Sequence, residues 1–182
     1  MCAVRKSLEM GSVRMISRVN GKMVSWLAMF TALSAVGAAI KIPAVVGSVA
    51  LDVFPSLLAA AILGSGAGAI VAAFGHLLSA VLGGFPLGPS HFFIAVEMAV
   101  LVWLFGILYK NGKKASAIVI FILGNAFVAP LPFIILVNKG FYLAIVPSLL
   151  IGSIINTAIA FVAIPRLSSL VTYGLGKREA KR

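Results

Sequence analysis

Asp52, His76, His91 and Glu97 are ionisable side chains set in sequence that is otherwise oily. The stretch Gly75–Met98, GHLLSAVLGGFPLGPSHFFIAVEM, carries both histidines of the chain and one of its four acids. Carboxylates accept hydrogen bonds from hydroxyls and amines, and a neutral imidazole gives one and takes one. Such groups can bind a polar small molecule, hold each other in place, or ligate a metal. A metal fits the pattern poorly, because the histidines fall on different elements and show no His-Glu-x-x-His type spacing. Covalent catalysis has no foothold either. There is no Gly-x-Ser-x-Gly, no lysine near a candidate serine, and no cysteine beyond Cys2. Gly174-Leu-Gly-Lys177 lacks the spacing of a phosphate-binding loop, so any ATP dependence must come from another chain. The expectation is a binding protein with no cofactor and no metal, not an enzyme.

The elements that position these groups belong to a membrane. Hydrophobic residues make up 62% of the 182 residues and charged ones only 10%, where a soluble domain has about 25% charged. The fifteen Lys and Arg give a net charge of +11, which by itself would suit nucleic acid. Their placement does not. All but Lys41 and Lys139 fall in the arm up to Lys22, the Lys110–Lys114 loop, or the tail from Arg166. A positive-inside distribution puts those three regions, and both termini, in the cytoplasm. Within the arm, Arg14, Arg18 and Lys22 share one face of an expected interfacial helix.

The expected fold is all-α and integral to the membrane: six transmembrane helices, a short second one, and structured outer loops. Residues 1–22 form the basic arm, 23–165 the membrane domain and 166–182 the basic tail. The first span runs from Met23 to about Ile42. The second begins near Asp52 and stops at Gly64-Ser65-Gly66, about 20 Å of helix against a core of about 30 Å. The segment before it must therefore dip to membrane depth as irregular backbone, which only protein or a water-filled cavity can satisfy. Pro55 suits a first helical turn and leaves Asp52 just outside it. Spans at Ala67–Leu82, His91–Tyr109, Ala115–Val137 and Phe141–Ile164 follow, with a kink expected at Pro130 and Pro132.

Depth then gathers the candidates. His76 lies about 10 Å below the outer end of its span and Glu97 about 9 Å below that of the next. Asp52 and His91 mark outer helix starts, and Ser79 shares a face with His76 at i+3. Asn125 and Asn156 lie deeper. An ionisable group in a membrane helix costs about 3 kcal/mol or more facing lipid, so these groups must turn inward. Two readings stay open: a structural pair of Glu97 with His76, or a cup whose carboxylates take a ligand's hydroxyls or amines. Separately, Ala28-x-x-x-Ala32 on the first span lets another helix approach closely, within this chain or outside it.

Six spans and the first-span alanines, with GSVALDVFPSLLAAAILG and GAIVAAFGHLLSAVLGG, resemble the substrate-binding S components of energy-coupling-factor vitamin transporters, over about residues 23–165. The resemblance implies a bacterial cell-membrane protein that binds a vitamin or precursor outside the cell. It implies partners too: a transmembrane coupling subunit, which Ala28 and Ala32 would meet, and two ATPase subunits. Within the family, SAVGAAIKIPAVVGSVALD and GHLLSAVLGGFPLGPSHFFIAVEM are most similar to the α-ribazole group, which salvages a cobalamin precursor. On that reading Phe54, Phe85 and Phe92 stack on the benzimidazole, while Asp52 and Glu97 take ribose hydroxyls. The alternatives are another vitamin (cobalamin, riboflavin or thiamin) and a stand-alone proton-coupled carrier using Asp52 or Glu97.

Overall fold

The structure, a computed structural model, describes the backbone of residues 21–43 and 48–176. The expected Arg14–Arg18 helix face and the last bases from Lys177 lie outside the described residues. Helix α1 (Gly21–Ala39) leads into strand β1 (Lys41–Pro43), which pairs antiparallel with β2 (Ser48–Ala50). Helices α2 (Phe54–Ile62), α3 (Ser65–Leu82), α4 (Ser90–Lys110) and α5 (Lys114–Leu123) follow. A π-helical turn at Gly124–Val128, the short α6 (Phe133–Leu136) and the long α7 (Lys139–Gly176) come last.

Among the described residues, five stretches are long and apolar enough to cross a membrane: Gly21–Ala39, Ser65–Leu82, Ser90–Lys110, Lys114–Leu136 and Lys139–Ser168. The short second helix of the expected six is α2, which is not among them. α2 has nine residues, about 13 Å of helix, and reaches less than halfway across a bilayer core. It survives at membrane depth because protein surrounds it. Leu57, Leu58, Ala59 and Ala60 are each 0% exposed, and α2 packs on α1, α3, α4 and α7. Pro55 sits in its first turn, where a missing N–H costs nothing. Its end is closed by bonds from the Leu63 and Gly64 amides to the Ala59 carbonyl, at 2.8 and 3.1 Å. Gly64 has φ of +128°, a region that disfavours residues with a Cβ, so the chain can turn at once into α3.

The segment ahead of α2 is more ordered than its sequence suggests. Lys41 pairs with Ala50, Ile42 with Val49 and Pro43 with Ser48, so a small hairpin satisfies backbone groups that oil would not. The Leu51 amide then returns to the Gly37 carbonyl at the end of α1, at 3.1 Å. A Cβ on Gly37 would overlap the Leu51 carbonyl. Gly37→Ala should therefore destabilise the fold by about 1–3 kcal/mol, seen as a lower unfolding temperature in detergent.

The fourth crossing stretch is broken where Pro130 sits. Proline offers no N–H to the carbonyl four residues back and crowds it. The chain widens one turn earlier, with the Ala129 amide bonded to the Gly124 carbonyl at 2.8 Å, an i to i−5 bond. α7 begins with Asn138 Oδ1 accepting the Phe141 amide at 2.8 Å, and it runs through Pro165 rather than ending at Ile164. The bundle thus has one end where the Gly64 turn meets Lys110, and a far end bearing the hairpin, the Gly83–Pro89 loop and the Pro130–Asn138 turns.

Candidate ligand-binding cavity

A cavity of about 300 Å³ opens within the far half of the bundle. Its walls come from the end of β2, the turn into α2, α3, α4, the π-turn and α7. Asp52, His76, His91, Glu97, Asn125 and Asn156 all line it. The convergence expected from depth is therefore present. Ser148 and Ser153 add hydroxyls from α7, and among the described residues no lysine or arginine lines the cavity.

The histidines hold each other. His76 Nε2 lies 3.2 Å from His91 Nδ1, with ring centroids 5.3 Å apart. His91 Nε2 accepts the Leu87 amide at 3.4 Å, which makes Nδ1 the protonated nitrogen of a neutral ring. His91 then donates to His76 Nε2, and His76 carries its own proton on Nδ1. Phe85 fixes the assembly from above, its ring edge-on to His91 at 5.4 Å. To get there Phe85 takes a φ of +51°, costly for a residue with a bulky side chain.

Glu97 is not part of that pair. The structural alternative of Glu97 bonded to His76 is not what the chain adopts, because His91 has the place. Glu97 Oε2 is buried and has no hydrogen-bond partner. A buried acceptor left unpaired costs about 1–3 kcal/mol, so its position on the cavity wall marks where a donor is missing.

Asp52 is held twice. Ser79 hydrogen-bonds its carboxylate, which puts Ser79 behind the wall rather than on it. Burial pushes the Asp52 carboxyl above the ordinary carboxylate range, and the Ser79 bond partly offsets this. Its backbone is fixed by Asn156, whose Oδ1 accepts the Val53 and Phe54 amides at 3.2 and 2.9 Å. Asn156 Nδ2 donates to the carbonyls of Ala50 and Gly152, both at 3.0 Å. With two bonds given and two taken, the amide is fully used. Asn125 Nδ2 donates to Ser153 Oγ at 2.7 Å, tying the π-turn to α7.

The aromatic expectation is corrected. Phe54 packs on the core cluster, Phe85 lies on His91, and Phe92 is 60% exposed on the outside of the bundle. None lines the cavity. Phe121 and Phe133 do, from α5 and the start of α6. Their sequence context is uniformly apolar, and the break at Pro130 is the one cue that this helix turns inward there. On α1, Phe30, Ser34 and Gly37 are buried, while Ala28 and Ala32 are exposed on the opposite face.

Residues 22–176 match the family model described as ECF transporter, substrate-specific component. No curated protein and no solved structure matches.

Proposed function

We infer, since the chain belongs to the family of ECF transporter substrate-specific components, that its cavity seats α-ribazole and that uptake runs through a coupling subunit docked on Ala28 and Ala32. Membership itself makes the chain a membrane protein that takes a small molecule and works with an ECF module. The ligand is the finer step. What carries it is the unpartnered Glu97 Oε2 in a cavity with two carboxylates, two imidazoles and, among the described residues, no lysine or arginine. Such a wall asks for a neutral or cationic ligand rich in donors, as ribose hydroxyls are. Phe121 and Phe133 supply the flat apolar side that an aromatic base needs. A volume of about 300 Å³ is at the small end for ligand pockets, which favours a base with one sugar over a whole corrinoid.

Direction follows from charge. With Lys110, Lys113, Lys114 and Arg166 at the end opposite the cavity, the positive-inside rule turns the cavity outward and both termini to the cytoplasm. Hydrolysis of ATP belongs to partner ATPases, acting through the coupling subunit.

Native mass spectrometry of the purified chain with α-ribazole, thiamin, riboflavin and cobalamin tests the ligand. α-Ribazole should be retained in preference to the rest. Retention of thiamin in its place would keep the acceptor-lined cup and overturn the ligand. Glu97→Gln should weaken α-ribazole by about 1–3 kcal/mol, measured by titration calorimetry, because an NH2 that only donates replaces one acceptor oxygen. Unaltered affinity in a folded variant would leave Glu97 without a ligand role.

A further inference from the structure

The nine-residue α2 has no cap of its own. Val53, at its N-cap, offers no side-chain hydrogen bond, and Pro55 has no amide. The amides of Val53 and Phe54 are left over, and one oxygen on α7 takes both: Asn156 Oδ1. The same side chain reaches Ala50, the last paired residue of the hairpin. So the turn from β2 into α2 is stapled at each end to a residue 102 to 106 positions away. Asp52 lies between the staples, and Ala50, Asp52 and Val53 all line the cavity. Asn156 is 2% exposed, and its hydrogen bonds all go to backbone.

We propose that Asn156 is a positioning residue that holds the Asp52 turn against the cavity from α7 and thereby governs how long a ligand stays. The proposal rests on reading the cavity as the ligand seat, and it deepens that reading. A seat wall made of a hairpin and a one-sided helix start has two ways to loosen: the Ser79 bond to the carboxylate, or the backbone staple. Loss of the staple releases the wall as a unit; Asn156 lines the cavity too, but its four hydrogen bonds all go to backbone, so the change acts through the turn.

The test uses the full chain in lipid nanodiscs, with hydrogen–deuterium exchange and α-ribazole binding kinetics. Asn156→Ala should speed exchange of the Val53 and Phe54 amides about ten-fold or more while α1 and α4 keep wild-type protection. α-Ribazole should leave about ten-fold faster with little change in association. Asp52→Asn should then add little in the Asn156→Ala background, because the carboxylate is already misplaced. Asn156→Asp keeps the acceptor for both amides and loses the donor to Ala50, so local protection should persist while dissociation quickens. This variant carries the test if the alanine variant does not fold, and wild-type dissociation from it would then overturn the proposal. Unchanged exchange at positions 53 and 54 in Asn156→Ala, or a uniform rise over all helices, would overturn it too. Failure of the wild-type chain to retain α-ribazole would remove the proposed ligand alone, since the exchange measurement needs none.

Discussion

Ala28→Trp should abolish uptake and leave ligand binding at the wild-type level. The separation follows from where α1 points. Its inner face, at Phe30, Ser34 and Gly37, is buried against the bundle, while Ala28 and Ala32 lie exposed on the opposite face. Among the described residues, none covers them. Inside a bilayer apolar burial drives no association, so a partner helix is held by close van der Waals contact, which small side chains permit and an indole forbids. The cavity is out of reach of that change, because no α1 residue lines it. Binding by the purified chain and uptake by cells carrying the coupling module give the two readouts. Val162→Trp, on the exposed face of α7, is the control and should leave both intact. Normal uptake by Ala28→Trp would remove the docking face from the proposal.

How far the sequence could be read depended on whether a feature is set by its neighbours in the chain or by contacts across the fold. Hydropathy marks all five crossing stretches, and Pro55 with Gly64 brackets a helix too short to cross; both are local signals. The gathering of Asp52, His76, His91 and Glu97 was legible because depth in a membrane follows from residue count at a fixed rise. Rotation did not follow. His91 and Glu97 both lie within reach of His76 by depth, and only the packing of α4 on α3 decides that the imidazole meets it and the carboxylate turns to the cavity.

Features made by long-range contacts were hidden for the same reason. The hairpin has three-residue strands, one ending in a proline, and it exists because Leu51 returns to Gly37. Pro130 announced a break but not its kind, and it is the wide turn that swings Asn125 to Ser153. Asn156 reads from the sequence as a substrate-binding candidate deeper in its span. Its partners were unreadable from any window, since they lie 102 to 106 positions away. Phe54, Phe85 and Phe92 stand close in sequence to the polar cluster, whereas Phe121 and Phe133 line the cavity from α5 and α6.

Placing a phosphate on the ribose of α-ribazole should weaken binding about a thousand-fold or more, an effect of some 4 kcal/mol. A phosphate monoester carries a charge of about −1.5 to −2 at neutral pH. In this cavity it would meet Asp52 and Glu97, and no lysine or arginine on the wall. Lys41, the one base on the hairpin, is exposed and so screened by solvent. Desolvating a dianion costs several kcal/mol, and here nothing repays it. The hydroxyl that donated to Glu97 is lost as well when the ester forms there. Glu97→Gln separates these contributions: without one of the two carboxylates the discrimination should shrink but still exceed about ten-fold, because burial of the charge remains unpaired. Competition against α-ribazole, at fixed pH and salt, measures both ratios. Equal affinity for the nucleoside and its phosphate would mean that a base reaches the ligand from somewhere other than this wall. The case for an acceptor-lined seat would then fall, even with the family assignment intact.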